Sequence, residues 1–396
     1  MQILEILFWL ALALIGYTYI GYALLIYLII KIKRFFKKSK SISVRENELP
    51  EVSFVVAAYN EVDFIQQKVQ NSLALNYPKD KIKFIFVTDG SNDGTPEQLL
   101  KYPDIEVYHH AERKGKIAAI NRIMQLVKTP IVIFSDANTQ LNPEAVREIV
   151  KHYQDPQVGG VAGEKRVLQA EHAQASEAGE GLYWKYESFL KRMDSELTSV
   201  MGAAGELFSL RTELYQPVEK EAILDDFMIS FRIIQQGYKV VYEPHAYAQE
   251  SSSASTQEEL KRKIRISAGG IQSIIWLRDL LNPFKYGWIS FQYISHRVLR
   301  WTLAPLSLAL VFLFNIILAF QPGGIYLLLF GLQLSFYVAA GIGWRLEDKK
   351  IKIKVFFIPF YFLMMNYSVY RGFIRFMAGN QSVLWEKVKR AEAVSI

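Results

Sequence analysis

The sequence predicts an α/β domain set between an N-terminal transmembrane helix and C-terminal interfacial and transmembrane helices. Three observations predict it. Residues 3–30 carry one charge, Glu5, and exceed the ~20 apolar residues needed to cross a bilayer. From Pro50 to about Ala248, short apolar runs alternate with helical spacing, the mark of a mainly parallel sheet with covered faces. Beyond Leu303 the chain returns to long apolar runs. It divides into an anchor with a basic juxtamembrane segment (1–40), a soluble domain (50–250), a basic and amphipathic segment (251–302), and transmembrane helices with a basic tail (303–396).

The first apolar run is followed at once by Lys31, Lys33, Arg34, Lys37, Lys38 and Lys40. A cleaved leader would carry its charges before the run and a small-residue cleavage site after it, so this reads as a retained anchor. The positive-inside rule then puts the soluble domain in the cytoplasm, as part of a multi-pass protein of the cell (inner, cytoplasmic) membrane. Within that domain residues 52–58, 84–87, 106–108 and 131–134 read as strands. Residues 64–73, 96–102, 117–127 and 143–153 read as the helices between them. Residues 158–243 mix the two patterns less regularly.

Residues 267–301 hold Trp276, Tyr286, Trp288, Tyr293 and Trp301 among scattered basic residues. That composition predicts amphipathic helices at the membrane interface, divided at Pro283. Residues 303–320 and 325–344 read as two spans joined by an uncharged hairpin, Gln321-Pro322-Gly323-Gly324. Residues 355–377 are a third candidate span, with Arg371 and Arg375 in its second half. If it crosses, Lys387, Lys389 and Arg390 end outside, against the charge rule; a kinked or interfacial placement is the alternative.

There is no cysteine, which excludes disulfides, thiolate metal sites and thiol nucleophiles. The net charge of +7 gathers beside the apolar runs and around residues 258–265, where anionic lipid headgroups would lie. Membrane lipids, not nucleic acid, are the expected partner of that charge.

Two strand runs end in carboxylates. Phe84-Ile85-Phe86-Val87 leads into Thr88-Asp89-Gly90-Ser91-Asn92-Asp93-Gly94, and Ile131-Val132-Ile133-Phe134 into Ser135-Asp136-Ala137-Asn138. In open α/β sheets ligands bind at that end of the strands. Asp89, Asp93, Asp136 and Asn138 are hard oxygen donors of the kind Mg2+ or Mn2+ shares with substrate phosphates. Asp-Gly and Asn-Asp-Gly are also ordinary turn sequences, so it is the pairing of the two motifs that points to function.

The run Val55-Val56-Ala57-Ala58-Tyr59-Asn60-Glu61, the Asp89-to-Thr95 turn, Lys114-Gly115-Lys116 with Asn121, and Ser135-Asp136-Ala137-Asn138 together resemble the inverting family 2 glycosyltransferases in order and spacing. The layout resembles the membrane polysaccharide synthases of cellulose, hyaluronan and poly-N-acetylglucosamine. The resemblance implies a GT-A type nucleotide-sugar domain. Tyr59, Glu61 and Asp89 would line the nucleotide base and ribose, with Ala57 also among the substrate-binding residues. Asp136 would face the ribose and diphosphate beside a divalent cation, Mg2+ or Mn2+. Asn138 stands where the family often has a second aspartate; its amide can coordinate but brings no charge. Lys116 would approach the diphosphate, or else be a solvated lysine at a helix start.

Asp225-Asp226 before Phe227-Met228-Ile229-Ser230 resembles the family's acidic motif, which makes Asp226 the catalytic base and Asp225 a substrate-binding neighbour. Either can also complement a helix dipole. Processive synthases carry Gln-x-x-Arg-Trp downstream. Here the place reads Arg262-Lys263-Ile264-Arg265-Ile266. Arg262 and Arg265 suit a diphosphate, or equally a lipid headgroup. The missing Trp removes an aromatic face for the acceptor sugar. Gly202-Ala203-Ala204-Gly205 offers a floor where a sugar can approach the backbone, or is a tight turn. Tyr183-Trp184-Lys185-Tyr186-Glu187 lines an acceptor channel, or packs in the core.

The expected partners are a nucleotide-sugar donor, probed first as a UDP-sugar, and a glycan or lipid-linked acceptor, with a homo-oligomer or export subunits for a polymer product. A single-sugar transferase and a non-catalytic nucleotide-sugar-binding scaffold are the rival readings.

Overall fold

Four short runs of branched and aromatic residues form the parallel half of one eight-stranded sheet in the computed structural model, which describes residues 1–36, 48–168, 175–251, 253, 255–322, 324–349 and 353–379. The strands are β1 (Val52–Ala58), β2 (Ile82–Asp89), β3 (Glu106–His110), β4 (Ile131–Asp136), β5 (Gln140–Leu141), β6 (Val158–Leu168), β7 (Leu207–Arg211) and β8 (Lys239–Ser251). Their order is β3-β2-β1-β4-β7-β6-β8-β5. The first four strands are parallel; β7 runs antiparallel to both β4 and β6, and β6 pairs parallel with β8. The sheet is therefore mixed, and the less regular half of the sequence supplies β6, β7 and β8.

Every residue of β1 is buried, because helices cover both faces of the sheet. One face packs Val55, Val87, Val132 and Phe134 under α4 (Lys116–Met124) and α7 (Asp225–Gln235). The other packs Phe54, Phe86 and Ile133 under α2 (Val62–Leu73) and α5 (Ala145–Val150), with the short α3 (Thr95–Leu99) between β2 and β3. Each fully buried large side chain contributes about 1.5–3 kcal/mol. Register sets Ala57 beside Asp136 and Ala58 beside Thr88, so β1, β2 and β4 end together along one edge.

Around this domain run the longer helices. They are α1 (Gln2–Phe36), α6 (Ala175–Leu197), α8 (Thr256–Trp276), α9 (Trp288–Trp301), α10 (Leu303–Leu318), α11 (Ile325–Asp348) and α12 (Lys354–Met377). Among the described residues two helices are long and apolar enough to cross a membrane, Gln2–Phe36 and Ile325–Glu347. The pair α9 and α10, bent by 51°, makes a third if it forms one span. The run over residues 355–377 is not among them. It forms α12, which carries Pro359 and lays Gly372 against Ser267 and Ala268 of α8. The basic tail from Lys387 to Arg390 lies outside the described residues.

The aromatic belt expected over residues 267–301 turns largely inward. Tyr293 is fully buried, Trp301 packs on Phe227 at 5.6 Å between ring centroids, and Gly270 backs onto the Trp301 ring. Phe284 and Trp288 remain exposed. The inward face exists because α8 needs glycines where neighbours press on it: a Cβ at Gly269 would stand 2.7 Å from Leu224.

Two π-helical turns, Tyr17–Gly21 in α1 and Ile294–Val298 in α9, meet at a hydrogen bond of 2.7 Å between the Tyr17 and Ser295 hydroxyls. Nearby, the Tyr22 hydroxyl donates to Asp194 of α6, whose other oxygen lies 2.5 Å from His296 Nδ1.

Candidate active site

At the aligned strand ends, Lys116 at the start of α4 reaches across to the carboxylates. Its Nζ lies 2.6 Å from Asp136 Oδ1 and 3.5 Å from Asp225 Oδ2. Gly205 forms the floor between them. A Cβ there would stand 3.2 Å from Lys116 Nζ, 3.3 Å from Asp226 Oδ2 and 3.6 Å from Asp136 Oδ2. Three charged groups thus converge on a residue with no side chain, and Asp225 joins them through Lys116. At Gly202, with φ +103°, a Cβ would stand 2.4 Å from the Phe227 ring, so the floor packs against α7 and a Cβ is excluded.

Electrostatics follow from this crowding. Burial and the neighbouring Asp225 push the Asp226 carboxyl up to about 7. Burial also raises Asp136, opposed by Lys116. Burial works against the Lys116 ammonium, yet Asp136, Asp225 and Asp226 together raise its pKa. Arg265 on α8 lies in the same field: burial lowers its pKa, while Asp225 and Asp226 oppose that. Asp225 and Asp226 occupy the first turn of α7, and Asp226 Oδ1 accepts from the Phe227 N–H. Dipole complementation and a place in the site hold at once.

On the donor side, Asp89 Oδ2 accepts from the N–H groups of Lys114 and Gly115 at 2.7 and 2.6 Å. Its Oδ1 is buried without a hydrogen-bond partner, 3.6 Å from Arg122 Nη2. The Arg113 guanidinium lies 3.7 Å over the Tyr59 ring. Asn60, at φ 53°, bonds back to Ser91 and Asn92, and the Glu61 N–H donates to Thr95 Oγ1. Asp93 is a brace for these turns: its oxygens accept from Val62 N and from Thr95 N and Oγ1. It faces its own turn rather than the site where sequence alone grouped it with Asp136.

Arg262 stands apart from Arg265. Its guanidinium binds Glu259 on the same helix and lies 3.7 Å from Glu250. Glu250 also pairs with Lys165, which pairs with Glu206 next to the Gly205 floor. Tyr183 and Trp184 border this buried cluster, with Lys263 Nζ 4.1 Å from the Tyr183 ring and Lys165 Nζ 4.7 Å from the Trp184 ring. Sequence patterns gave no sign of Lys165, Glu206 or Glu250, because their partners lie far away in the chain.

A divalent cation fits the donor set. Asp136 offers Oδ2 beside the floor while Oδ1 holds Lys116, and half-buried Asn138 follows on the same turn. Mg2+ or Mn2+ needs only one or two such groups when substrate phosphates complete the shell. Among the described residues no group of three or more His, Cys, Asp or Glu could hold a metal alone.

Residues 53–218 match the family model described as Glycosyl transferase family 2. Over that segment the chain is similar to the family 2 glycosyltransferases. The chain is 26% identical over 257 residues to the poly-beta-1,6-N-acetyl-D-glucosamine synthase of Staphylococcus aureus (strain MW2), covering 62% of this chain and 60% of that one. It is 24% identical over 265 residues to the synthase of that name from Staphylococcus epidermidis, covering 63% and 61%. The chain thus matches about 60% of the length of these curated relatives. A mannosyltransferase of Pyrobaculum calidifontis, solved with GDP-Man and Mn2+, superposes with a TM-score of 0.70 at 20% identity, covering 94% of this chain and 99% of that one. The chain shares its fold, a GT-A type domain flanked by apolar helices.

Proposed function

We propose that the protein is a membrane-bound inverting glycosyltransferase that moves a sugar from a UDP-sugar to a glycan acceptor from the cytoplasmic side of the cell membrane. The observation that carries this reading is the convergence of Lys116, Asp136 and Asp226 around the bare backbone of Gly205, with Asp225 3.5 Å from Lys116 Nζ. Asp226 takes the proton of the acceptor hydroxyl as its oxygen bonds to the anomeric carbon. The bond from that carbon to the diphosphate breaks on the opposite face, and its electron pair leaves with the nucleoside diphosphate. Lys116 and Arg265 meet the charge that develops on the leaving group. Asp136 and Asn138 would hold Mg2+ or Mn2+, which would supply further neutralisation of the diphosphate. Tyr59, Glu61 and Asp89 Oδ1, which faces Arg122, would take the base and ribose, beside Ala57. Arg262, engaged by Glu259 and Glu250, would act through that cluster rather than on the diphosphate.

Ile266 favours a second reading. It stands where processive synthases carry the Trp that stacks on the acceptor, so a single transfer to a lipid-linked acceptor is the rival. Purified protein in detergent, given a panel of UDP-sugars with Mg2+ or Mn2+, tests both. Release of UDP with one sugar supports the enzyme, and sizing the radiolabelled product separates polymer from single transfer. A folded protein that binds UDP but turns over no UDP-sugar would point to the non-catalytic scaffold.

A further inference from the structure

One residue of α2 breaks the rule of its own helix face. Ile65, Val69 and Ser72 face the sheet as small or apolar side chains, yet Lys68 on that face is 1% exposed. A lysine in such a place is tolerated only when its donors are satisfied. Its Nζ donates to Ser135 Oγ at 2.6 Å, Thr139 O at 3.0 Å and Thr139 Oγ1 at 3.2 Å. Its Nζ thus meets three acceptors, the most a lysine can serve, while burial lowers its pKa to about 7 against the pull of Asp136.

The acceptors bracket the turn that carries Asp136 and Asn138. Ser135 Oγ passes its own hydrogen to Glu206 O at 3.0 Å, and Thr139 Oγ1 donates to Asp136 O at 2.9 Å. One ammonium therefore clamps both ends of this turn, and through Ser135 ties it to the residue after the Gly205 floor. The remaining ties across the turn are single hydroxyl bonds.

We propose that Lys68 is a positioning residue, fixing the Asp136–Asn138 turn so that its oxygens meet the divalent cation and donor diphosphate in one geometry. This rests on the metal-assisted transfer argued above. Partners that orient a metal ligand typically carry 10–100-fold in affinity.

The test compares wild type with Lys68→Met, which keeps the volume and removes the donors. Mn2+ is titrated by electron spin resonance with UDP present, and kcat, the donor KM and the melting temperature are measured alongside. The expected result is Mn2+ binding weakened by about 10-fold or more, with kcat/KM falling by a like factor and the melting temperature within a few degrees. Mn2+ affinity and kcat/KM both within twofold of wild type would overturn the role. If Lys68→Met does not fold, Ser135→Ala removes one acceptor and is read in the same way. A wild type that neither binds Mn2+ with UDP nor transfers sugar would overturn the metal-assisted reading itself; an active, Mn2+-binding wild type matched by the variant overturns only Lys68.

Discussion

Arg297 Nε donates to the Met201 carbonyl at 2.6 Å, so the helix that leads into the apolar C-terminal region grips the chain one residue before the Gly202–Gly205 floor. The same guanidinium is paired at 3.2 Å with Glu187 of α6, which also binds Arg300 and lies 3.4 Å from His296. Burial alone would raise the Glu187 carboxyl, but Arg297, Arg300 and His296 hold it well below the usual range.

Glu187→Gln is expected to cost about 3–5 kcal/mol, because it strands buried cations rather than replacing a pair with packing. Thermal unfolding in detergent checks this. A melting temperature equal to wild type would mean that the cluster contributes nothing to stability.

Asp226→Asn is expected to lower sugar transfer by about 10²–10⁴-fold while nucleotide binding stays near wild type. Rate assays and equilibrium binding of UDP to the same preparation give the two numbers. Full activity in a normally folded Asp226→Asn protein would remove this residue from the base role.

A base must be ionised to act, so a carboxyl raised to about 7 places the acid limb of kcat/KM near neutral pH, against ~4 for an ordinary aspartate. Asp225 is part of the cause, as a negative neighbour that disfavours a second charge. Asp225→Asn should therefore move the limb to lower pH by about one unit, whatever it does to the maximal rate. A profile that keeps its limb in place would separate the two carboxylates.

Gly205→Ala should fold, yet lose about 10²-fold in kcat/KM, because its Cβ enters the space between Lys116 and Asp226. Gly202→Ala should instead destabilise by about 1–3 kcal/mol, through a positive φ and a clash with the Phe227 ring. Kinetics and thermal melts on the pair tell a reactive surface from a packing contact.

The strands β1 to β4 and the acidic turns were legible in the sequence because each is a local pattern, an apolar run closed by a carboxylate. That Lys116, Asp136, Asp225 and Asp226 lie close together was legible through motif order. Lys68 was not, since a lysine within a helix reads as solvated until the sheet beneath it is known. For a similar reason Arg262 was legible only as charge: a basic cluster hides Glu250 and Glu259 as its partners. The inward turn of Tyr293 and Trp301 was hidden too, because an aromatic belt for a membrane and one for a protein core share a composition.

The N-terminal helix is more than a tether. Asp194 and His296 are both fully shielded from solvent, and Tyr22 is one of the groups that shields them. Shortening the chain past residue 22 to obtain a detergent-free enzyme would open that pair to water and undo the Tyr17–Ser295 bridge. A fragment that begins after residue 22 would therefore lose the helix that closes over α6 and α9, and with it the shielding of Asp194 and His296.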